Sequence, residues 1–357
     1  MDDKQRPPSV AVATPVRAMH AHLTPSVSTA MATFNGERFL EAQLRSIAIQ
    51  TMPPDELVVS DDASTDNTCD IVRAFAATAP FPVRLIANSH RVGYALNFER
   101  AIEQCRGSHV FLADQDDIWN ENKIERVMAC FSASPEALLI IHDRLVVDAD
   151  LAGSGASALQ GVRQHQEPDT VYVAGCATAI RHELISVTLP LPRLPDVGHD
   201  TWLHAVADLL GSRIVLGTPL MRYRRHEQTV SMSRVSPHST SRRRRARRPS
   251  VTKLGNARSG HRYERLQINQ RLQEELATRL NKCEATTLFG ERATVGATLA
   301  QSRADALGLR LHAMSKPTFP RLVELLRLFI AGKYPSAHGV AVLAHDLITI
   351  APRSRSH

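Results

Sequence analysis

Between residues 27 and 142 the chain alternates short apolar runs with longer amphipathic segments, and this alternation limits the folds open to it. Each apolar run has the length of a strand, and each amphipathic segment has apolar residues at helical spacing. Strands that alternate with helices form parallel sheets, because each helix carries the chain back before the next strand begins. The predicted strands are 27–32, 56–60, 83–87, 109–113 and 138–142, and the predicted helices are 37–50, 66–78, 94–105 and 120–131.

The composition of the sequence changes after residues 26, 235 and 259, and these changes predict four segments. Residues 1–26 are rich in proline, lack the apolar run of a secretion signal, and are predicted to be a flexible tail. Residues 27–235 are predicted to form one α/β domain, whose second half contains a strand at 171–174 and a helix at 200–210. The Ser/Arg/Pro-rich stretch 236–259 predicts a flexible linker, and the leucine spacing in 260–357 predicts a separate helical region.

The positive charge of the chain is concentrated in one segment. The net charge is +7, and six arginines between Arg242 and Arg248 account for nearly all of it. The remainder is close to neutral, which argues against a generally nucleic-acid-binding protein. Five widely spaced cysteines without a CxxC pair favour a reducing compartment, and no apolar stretch approaches a membrane span. We therefore expect a cytoplasmic protein whose arginine run could touch the inner face of the cell membrane.

Acidic residues follow the predicted strands where a parallel sheet binds its ligands. Asp61 and Asp62 follow the second strand, and Asp114, Asp116 and Asp117 follow the fourth. Ligands collect at the carboxyl ends of such strands, and three carboxylates within four residues repel one another unless a cation compensates. Oxygen ligands with no neighbouring His/Cys cluster favour Mg²⁺ or Mn²⁺ over Zn²⁺. The sequence therefore predicts a divalent cation at the acidic turn, which would arrive together with substrate phosphates.

Structural explanations of the same acids stay open at this point. The acidic turn could be solvated and cap the following helix, since the chain has a second Asp-x-Asp at Asp148 and Asp150. Asp61 and Asp62 could begin a turn, with Ser64 as the N-cap of the next helix.

Three segments of the chain occur in a fixed order: VSTAMATFNG at 27–36, VVSDDASTD at 58–66 and DQDDIW at 114–119. Their sequence, order and spacing resemble family 2 glycosyltransferases of the GT-A fold. The third segment, with Lys123 after it, is most similar to the rhamnosyltransferase-like branch that builds surface polysaccharide. The resemblance spans about residues 27–233. It implies an α/β fold of the GT-A type, Rossmann-like, with a mostly parallel sheet flanked by helices, to which this chain adds a C-terminal helical appendage.

The resemblance also implies a role for each matching residue. The nucleotide would be bound by Ala30, Thr33, Glu37, Asp61 and Asp62. The metal would be held by Asp114 and Asp116, which form the Asp-x-Asp of the family, and by His226 from a late motif. The sugar or the acceptor would contact Asp117, Gly175 and Trp202, and the catalytic base would be Asp200.

Glycosyl transfer needs residues of these kinds. The leaving diphosphate gains negative charge that a metal ion can neutralise, and the attacking hydroxyl must lose a proton to a base such as Asp200. One direct displacement inverts the anomeric carbon. The expected donor is dTDP-rhamnose, followed by UDP-hexoses, and the acceptor would be a saccharide or a lipid-linked saccharide. Asp200 also suits the N-cap of the helix that follows it.

Two other classes of function are compatible with parts of the sequence. A nucleotidyltransferase that makes nucleotide sugars can use a similar sheet, although it usually has a Gly-rich basic loop after the first strand, where this chain has one glycine and Glu37. A non-catalytic protein could use residues 242–248 to bind anionic lipid or nucleic acid, with strong salt dependence. We expect no specific nucleic acid partner.

Overall fold

The computed structural model describes residues 26–153, 155–164, 173–227, 251–334 and 339–348. The arginine run and nearly all of the predicted tail lie outside these ranges. The strands are β1 (Val27–Thr33), β2 (Glu56–Asp61), β3 (Val83–Ala87), β4 (His109–Asp114), β5 (Ile118–Trp119), β6 (Leu139–Val147), β7 (Ala156–Ser157), β8 (Thr178–Arg181) and β9 (Arg213–Arg224). The helices are α1 (Leu40–Ala48), α2 (Thr68–Ala76), α3 (Tyr94–Glu103), α4 (Lys123–Ala133), α5 (Ala158–Gln164), α6 (His182–Thr188), α7 (His199–Leu209), α8 (Val251–Leu280), α9 (Cys283–Phe289), α10 (Glu291–Ser315), α11 (Thr318–Ile330) and α12 (Gly339–Ile348), and Gly175–Ala177 forms a 3-10 turn.

The strands form one sheet in the order β3-β2-β1-β4-β8-β6-β9-β5, with β7 beside β6. β3, β2, β1 and β4 are parallel, as predicted for strands connected by helices. β8 is antiparallel to both β4 and β6, and β5 is antiparallel to β9. The predicted α/β class is confirmed, but within the described ranges the sheet is mixed rather than mostly parallel. The short strands β5 and β8 enter it without a crossover helix.

The strand predictions hold best in the segment where strands alternate with helices. The first five predicted strands are all present, and the fifth extends to Val147 because Asp143 and Arg144 are buried within it despite their charge. The strand predicted at 171–174 is wrong in its described part, because Val173 and Ala174 are extended residues that precede the 3-10 turn, outside any strand. Ser64 does not cap α2, because its hydroxyl donates to Asp61 Oδ1 at 2.6 Å.

The C-terminal helices are part of the same core as the sheet, contrary to the prediction of a separate region. α8 begins at Val251, so residues 251–259 of the predicted linker are helical. Leu276, Phe289 and Ala297 belong to the buried cluster that contains the residues of the central strands. A second, smaller cluster, which includes Leu266 and Leu325, lies where α8, α10, α11 and α12 meet.

Two contacts attach these helices to the sheet half. The guanidinium of Arg279 on α8 donates to the carbonyl oxygens of Val187 at 3.3 Å and Pro190 at 2.9 Å. α10 approaches the end of α7 so closely that a β-carbon added at Gly296 would lie 2.8 Å from the carbonyl oxygen of Leu209. In the described part of the chain, no helix combines the length and the apolar character needed to cross a bilayer.

Candidate functional site

A cleft of about 570 Å³ opens at the carboxyl ends of β1, β2 and β4. Its walls come from the loops after these strands, the start of α3, the 3-10 turn, the start of α7 and the end of β9. Seven of the residues singled out in the sequence line it together: Thr33, Asp62, Asp114, Asp116, Gly175, Asp200 and His226. The sheet edge therefore gathers carboxylates that are far apart in the sequence.

The other five, Ala30, Glu37, Asp61, Asp117 and Trp202, lie outside the cleft lining. Ala30 and Trp202 are fully buried in the core. The indole of Trp202 donates to the carbonyl oxygen of Thr188 at 2.8 Å. The predicted contacts of Ala30 with a nucleotide and of Trp202 with a sugar are therefore corrected, because both side chains pack the interior beneath the site.

Asp61 and Glu37 support loops next to the cleft. Asp61 is buried and accepts hydrogen bonds from the hydroxyl of Thr33 at 2.8 Å, the hydroxyl of Ser64 at 2.6 Å and the amide of Ser64 at 2.8 Å. Glu37 lies on the surface and accepts from the amide and the side chain of Asn67. Neither residue lines the cleft, and both carboxylates instead hold the neighbouring loops through these hydrogen bonds.

Asp62 lines the cleft and also fixes the loop on its opposite side. Its two oxygens accept from the amides of Val92 at 2.6 Å and Gly93 at 3.0 Å. Arg91 lies 3.6 Å from the same carboxylate, and its guanidinium stacks on the ring of Phe34 at 3.7 Å. These contacts build one end of the cleft from the loops after β1, β2 and β3.

The acidic turn after β4 is held against the loop after β1. The side chain of Gln115 accepts from the amide of Phe34 at 2.8 Å and donates to its carbonyl oxygen at 3.0 Å. Gln115 therefore directs the flanking Asp114 and Asp116 toward the cleft. Burial and the neighbouring Asp116 carboxylate raise the pKa of Asp114 to about 7.

The end of β9 brings His226 to the same turn. Arg224 donates from its amide to Asp117 Oδ1 at 3.0 Å and from its side chain to the carbonyl oxygen of Asp116 at 2.8 Å. These bonds place His226 Nε2 2.7 Å from Asp116 Oδ2, and the imidazole packs against the ring of Phe39. The late motif thus reaches the acidic turn, as the resemblance implied.

Behind the turn lies a group of buried titratable side chains. Asp114, Asp117 and Cys176 offer ligand atoms within 4.8 Å of one another, but Asp117 is fully buried, and burial raises the pKa of both Asp117 and Cys176 well above their ordinary values. Lys123 donates to the carbonyl oxygen of Cys176 at 2.9 Å, and its own burial lowers its pKa to about 7. The predicted sugar contact of Asp117 is corrected, since this carboxyl faces the interior.

Asp200 stands in the first turn of α7 and lines the same cleft as the acidic turn. Gly198 precedes the helix, so Asp200 is not the N-cap, and its Oδ1 accepts from the amide of Thr201 at 2.7 Å. The neighbouring His199 stacks on Phe98 at 4.0 Å, and burial lowers its pKa. A β-carbon at Gly175 would lie 2.7 Å from His199 Nε2, so only glycine lets the 3-10 turn approach α7 this closely.

The sequence analysis did not single out several residues that line the cleft. Arg91, Tyr94 and Phe98 come from the loop after β3 and from α3, and Arg144 comes from the middle of β6. A detectable signal existed for Arg144, because an Asp-Arg pair inside a long apolar run indicates buried charges with a specific partner. Arg144 stacks on Tyr223 at 4.4 Å.

The sequence of this chain matches a known protein family and several described proteins. Residues 28–183 match the family described as Glycosyl transferase family 2. The dTDP-rhamnosyl transferase RfbG of Shigella flexneri is 36% identical over 104 residues, which are 28% of this chain and 36% of that protein. The Escherichia coli UDP-Glc:alpha-D-GlcNAc-diphosphoundecaprenol beta-1,3-glucosyltransferase WfgD is 24% identical over 208 residues, which are 58% of this chain and 80% of that protein.

The chain spans only part of the first relatives in this comparison: 36% of RfbG, 69% of an uncharacterized Nostoc glycosyltransferase and 58% of an uncharacterized Mycobacterium bovis protein. Among solved structures, S. aureus TarS 1–349 in complex with UDP is similar, with a TM-score of 0.49, 15% identity and coverage of 86% of this chain and 87% of that one.

Proposed function

Because residues 28–183 match the family described as Glycosyl transferase family 2, we propose that this chain transfers a sugar from a nucleoside-diphosphate donor to a hydroxyl group of a saccharide or lipid-linked acceptor. The observation that carries this proposal is that Asp62, Asp116 and Asp200, from three separate parts of the chain, line the same cleft. Such a cleft can hold a nucleotide at one end and a reacting sugar between the two other carboxylates.

The residues around the acidic turn fit a divalent cation. Asp114, Asp116 and His226 line the cleft together, and burial, followed by the negative charge of Asp116, raises the pKa of Asp114. Two carboxylates and an imidazole suit Mn²⁺ or Mg²⁺. A cation bound by them would supply positive charge to the diphosphate that leaves the sugar.

Asp200 is the proposed general base, and Tyr94 and Gly198 surround it. A β-carbon at Gly198 would lie 2.7 Å from Asp200 Oδ1 and 3.0 Å from the hydroxyl of Tyr94, so this corner has no room for a larger residue. A carboxylate so placed accepts the proton of the attacking acceptor hydroxyl, which contributes roughly 10²–10⁴-fold in rate. Attack from the side of Asp200 gives inversion at the anomeric carbon.

The donor sugar is proposed from the named relatives. RfbG is described as a dTDP-rhamnosyl transferase and WfgD as a UDP-Glc transferase, which supports dTDP-rhamnose first and a UDP-hexose second. The carboxylate of Asp62 is suited to accept from a nucleobase N–H at the end of the cleft. Synthesis of surface polysaccharide is the setting that such donors suggest.

The site offers no support for the two alternative functions, a nucleotidyltransferase and a non-catalytic binding protein. The loop after β1 contains Phe34, Asn35 and a single glycine, so it lacks the phosphate cradle of a nucleotidyltransferase. The run of arginines 242–248 lies outside the described residues, and membrane contact through it stays a prediction.

The test is release of nucleoside diphosphate from a panel of donors, with and without Mn²⁺. We expect the variants Asp116→Asn and Asp200→Asn to lose at least about 10²-fold in turnover while keeping the melting temperature of the wild type. Asp150→Asn is the matched control, since Asp150 belongs to the second Asp-x-Asp, is exposed and lies outside the cleft lining. Near-normal turnover of either cleft variant would contradict the assignment of that residue.

A further inference from the structure

Helix α11 has apolar residues on two faces, and only one of them is covered by the described part of the chain. Leu325 and Leu328 point inward and belong to the second hydrophobic cluster. The outward face carries a row of four large apolar side chains, which we call the α11 stripe: Phe319 (75% exposed), Leu322 (40%), Leu326 (40%) and Ile330 (83%). Their spacing of three or four residues keeps them on one side of the helix.

The α11 stripe is long and narrow. It runs from Phe319 to Ile330, twelve residues of helix whose ends are about 17 Å apart. The helix is too short to cross a bilayer, but its length and two-sided apolar character suit a helix that lies in the plane of a membrane surface.

The charges around the stripe have mainly one sign. Lys316, Arg321, Arg327 and Lys333 are basic, and Glu324 is the single acidic residue between positions 316 and 333. Arg327 and Lys333 are exposed, and Arg327 follows Leu326 directly, at the border of the stripe. Long basic side chains next to an apolar row can extend toward lipid phosphates while the row enters the acyl region.

We propose that the α11 stripe docks this protein on a bilayer that contains anionic lipid. The combination of an exposed apolar row with bordering basic residues is complementary to such a surface in both polarity and charge. The proposal holds whether or not the chain transfers a sugar, because it rests on a different part of the molecule.

The first test is co-sedimentation of the full chain with vesicles of phosphatidylglycerol and phosphatidylcholine, compared with vesicles of phosphatidylcholine alone. Stronger binding to the anionic vesicles is expected. Phe319→Asp and Ile330→Asp should each weaken that binding about tenfold or more, because each removes a large apolar side chain from the contact. Thr298→Asp is the matched control, since it adds the same charge at an exposed position on α10, away from the stripe, and should change binding far less.

The second test reports on insertion directly. Phe319→Trp keeps an aromatic ring in the stripe, and the native Trp119 and Trp202 are buried and so shielded from lipid. We expect a blue shift of tryptophan emission with anionic vesicles and quenching by brominated acyl chains.

Three results would overturn the proposal. They are equal vesicle binding by Ile330→Asp and Thr298→Asp, an absence of quenching in Phe319→Trp, and a dimer in light scattering that Ile330→Asp dissociates, which would show a second copy on the stripe. A variant in which the arginines of residues 242–248 are neutralised separates the contribution of the arginine run from that of the stripe. If this variant loses all vesicle binding while Ile330→Asp binds vesicles normally, the proposed docking through α11 is also wrong.

Discussion

The substitution Gly296→Ala tests whether the C-terminal helices pack directly against the sheet half of the protein. The new β-carbon would lie 2.8 Å from the carbonyl oxygen of Leu209 and 3.1 Å from a methyl group of Leu280. Ordinary contact begins at 3.4 Å, so α10 and α7 must separate by about 0.6 Å. Overpacking of this kind costs ~1–3 kcal/mol, whereas a glycine-to-alanine change inside a helix alone gains ~0.5–1 kcal/mol. The expected net loss in unfolding free energy is about 0.5–2 kcal/mol.

Gly308 in the same helix provides the comparison. A β-carbon there would meet only the flexible side chain of Gln270, at 3.0 Å. Gly308→Ala should therefore be neutral or stabilising by up to about 1 kcal/mol. Urea unfolding of the two variants removes the shared helix-propensity contribution, and the Gly296 variant should unfold at the lower urea concentration. If both variants unfold at the same midpoint, the inferred contact between α10 and α7 is wrong.

Two further predictions concern buried charge. Asp346→Asn should lower the unfolding free energy by ~3–5 kcal/mol, as measured by urea titration. The reason is that the guanidinium groups of Arg262 and Arg310, which lie 2.7 Å and 2.8 Å from this buried carboxylate, would lose their charged partner. An unchanged urea midpoint would contradict this prediction. Burial and Arg213 lower the pKa of His204 to about 3, so its neutral form stabilises the fold above the unfolded pKa near 6.5, and this stability is lost as pH falls toward 3. At pH 5 the loss is about 2 kcal/mol relative to pH 7, and His204→Gln should show a smaller difference between the two pH values in urea midpoints.

The parallel half of the fold was accessible from the sequence because its strands are short, mainly apolar segments that alternate with amphipathic helices. β3 was predicted at its observed bounds, and β1, β2 and β4 each extend one residue further, to an acid or threonine at the edge of the cleft. In the other half, where β6 and β9 pair in parallel and β5, β7 and β8 pair antiparallel, only the first part of β6 was predicted. β6 contains the buried Asp143 and Arg144, and β5 and β8 are too short to stand out.

The predicted residues that follow strand ends lie in the cleft, whereas burial places others outside it. Asp62 and Asp116 reach the cleft because the sheet places the ends of β2 and β4 side by side. Trp202 and Asp117 lie one or two residues from cleft residues but point inward, and sequence spacing alone does not distinguish the two sides of a turn. Arg91 was missed because its place depends on the bonds that Asp62 makes to the loop after β3.

The continuity of the buried cluster from the strands into α8, α9 and α10 bears on how this protein can be divided experimentally. A fragment that ends at residue 235 would leave the surface now covered by Leu276 and Phe289 in contact with water, with the carbonyl groups that Arg279 binds unsatisfied. Such a fragment is expected to aggregate rather than behave as an autonomous module. Chimeras and truncated versions intended for biochemistry should therefore retain the chain at least through Ser315, the last residue of α10.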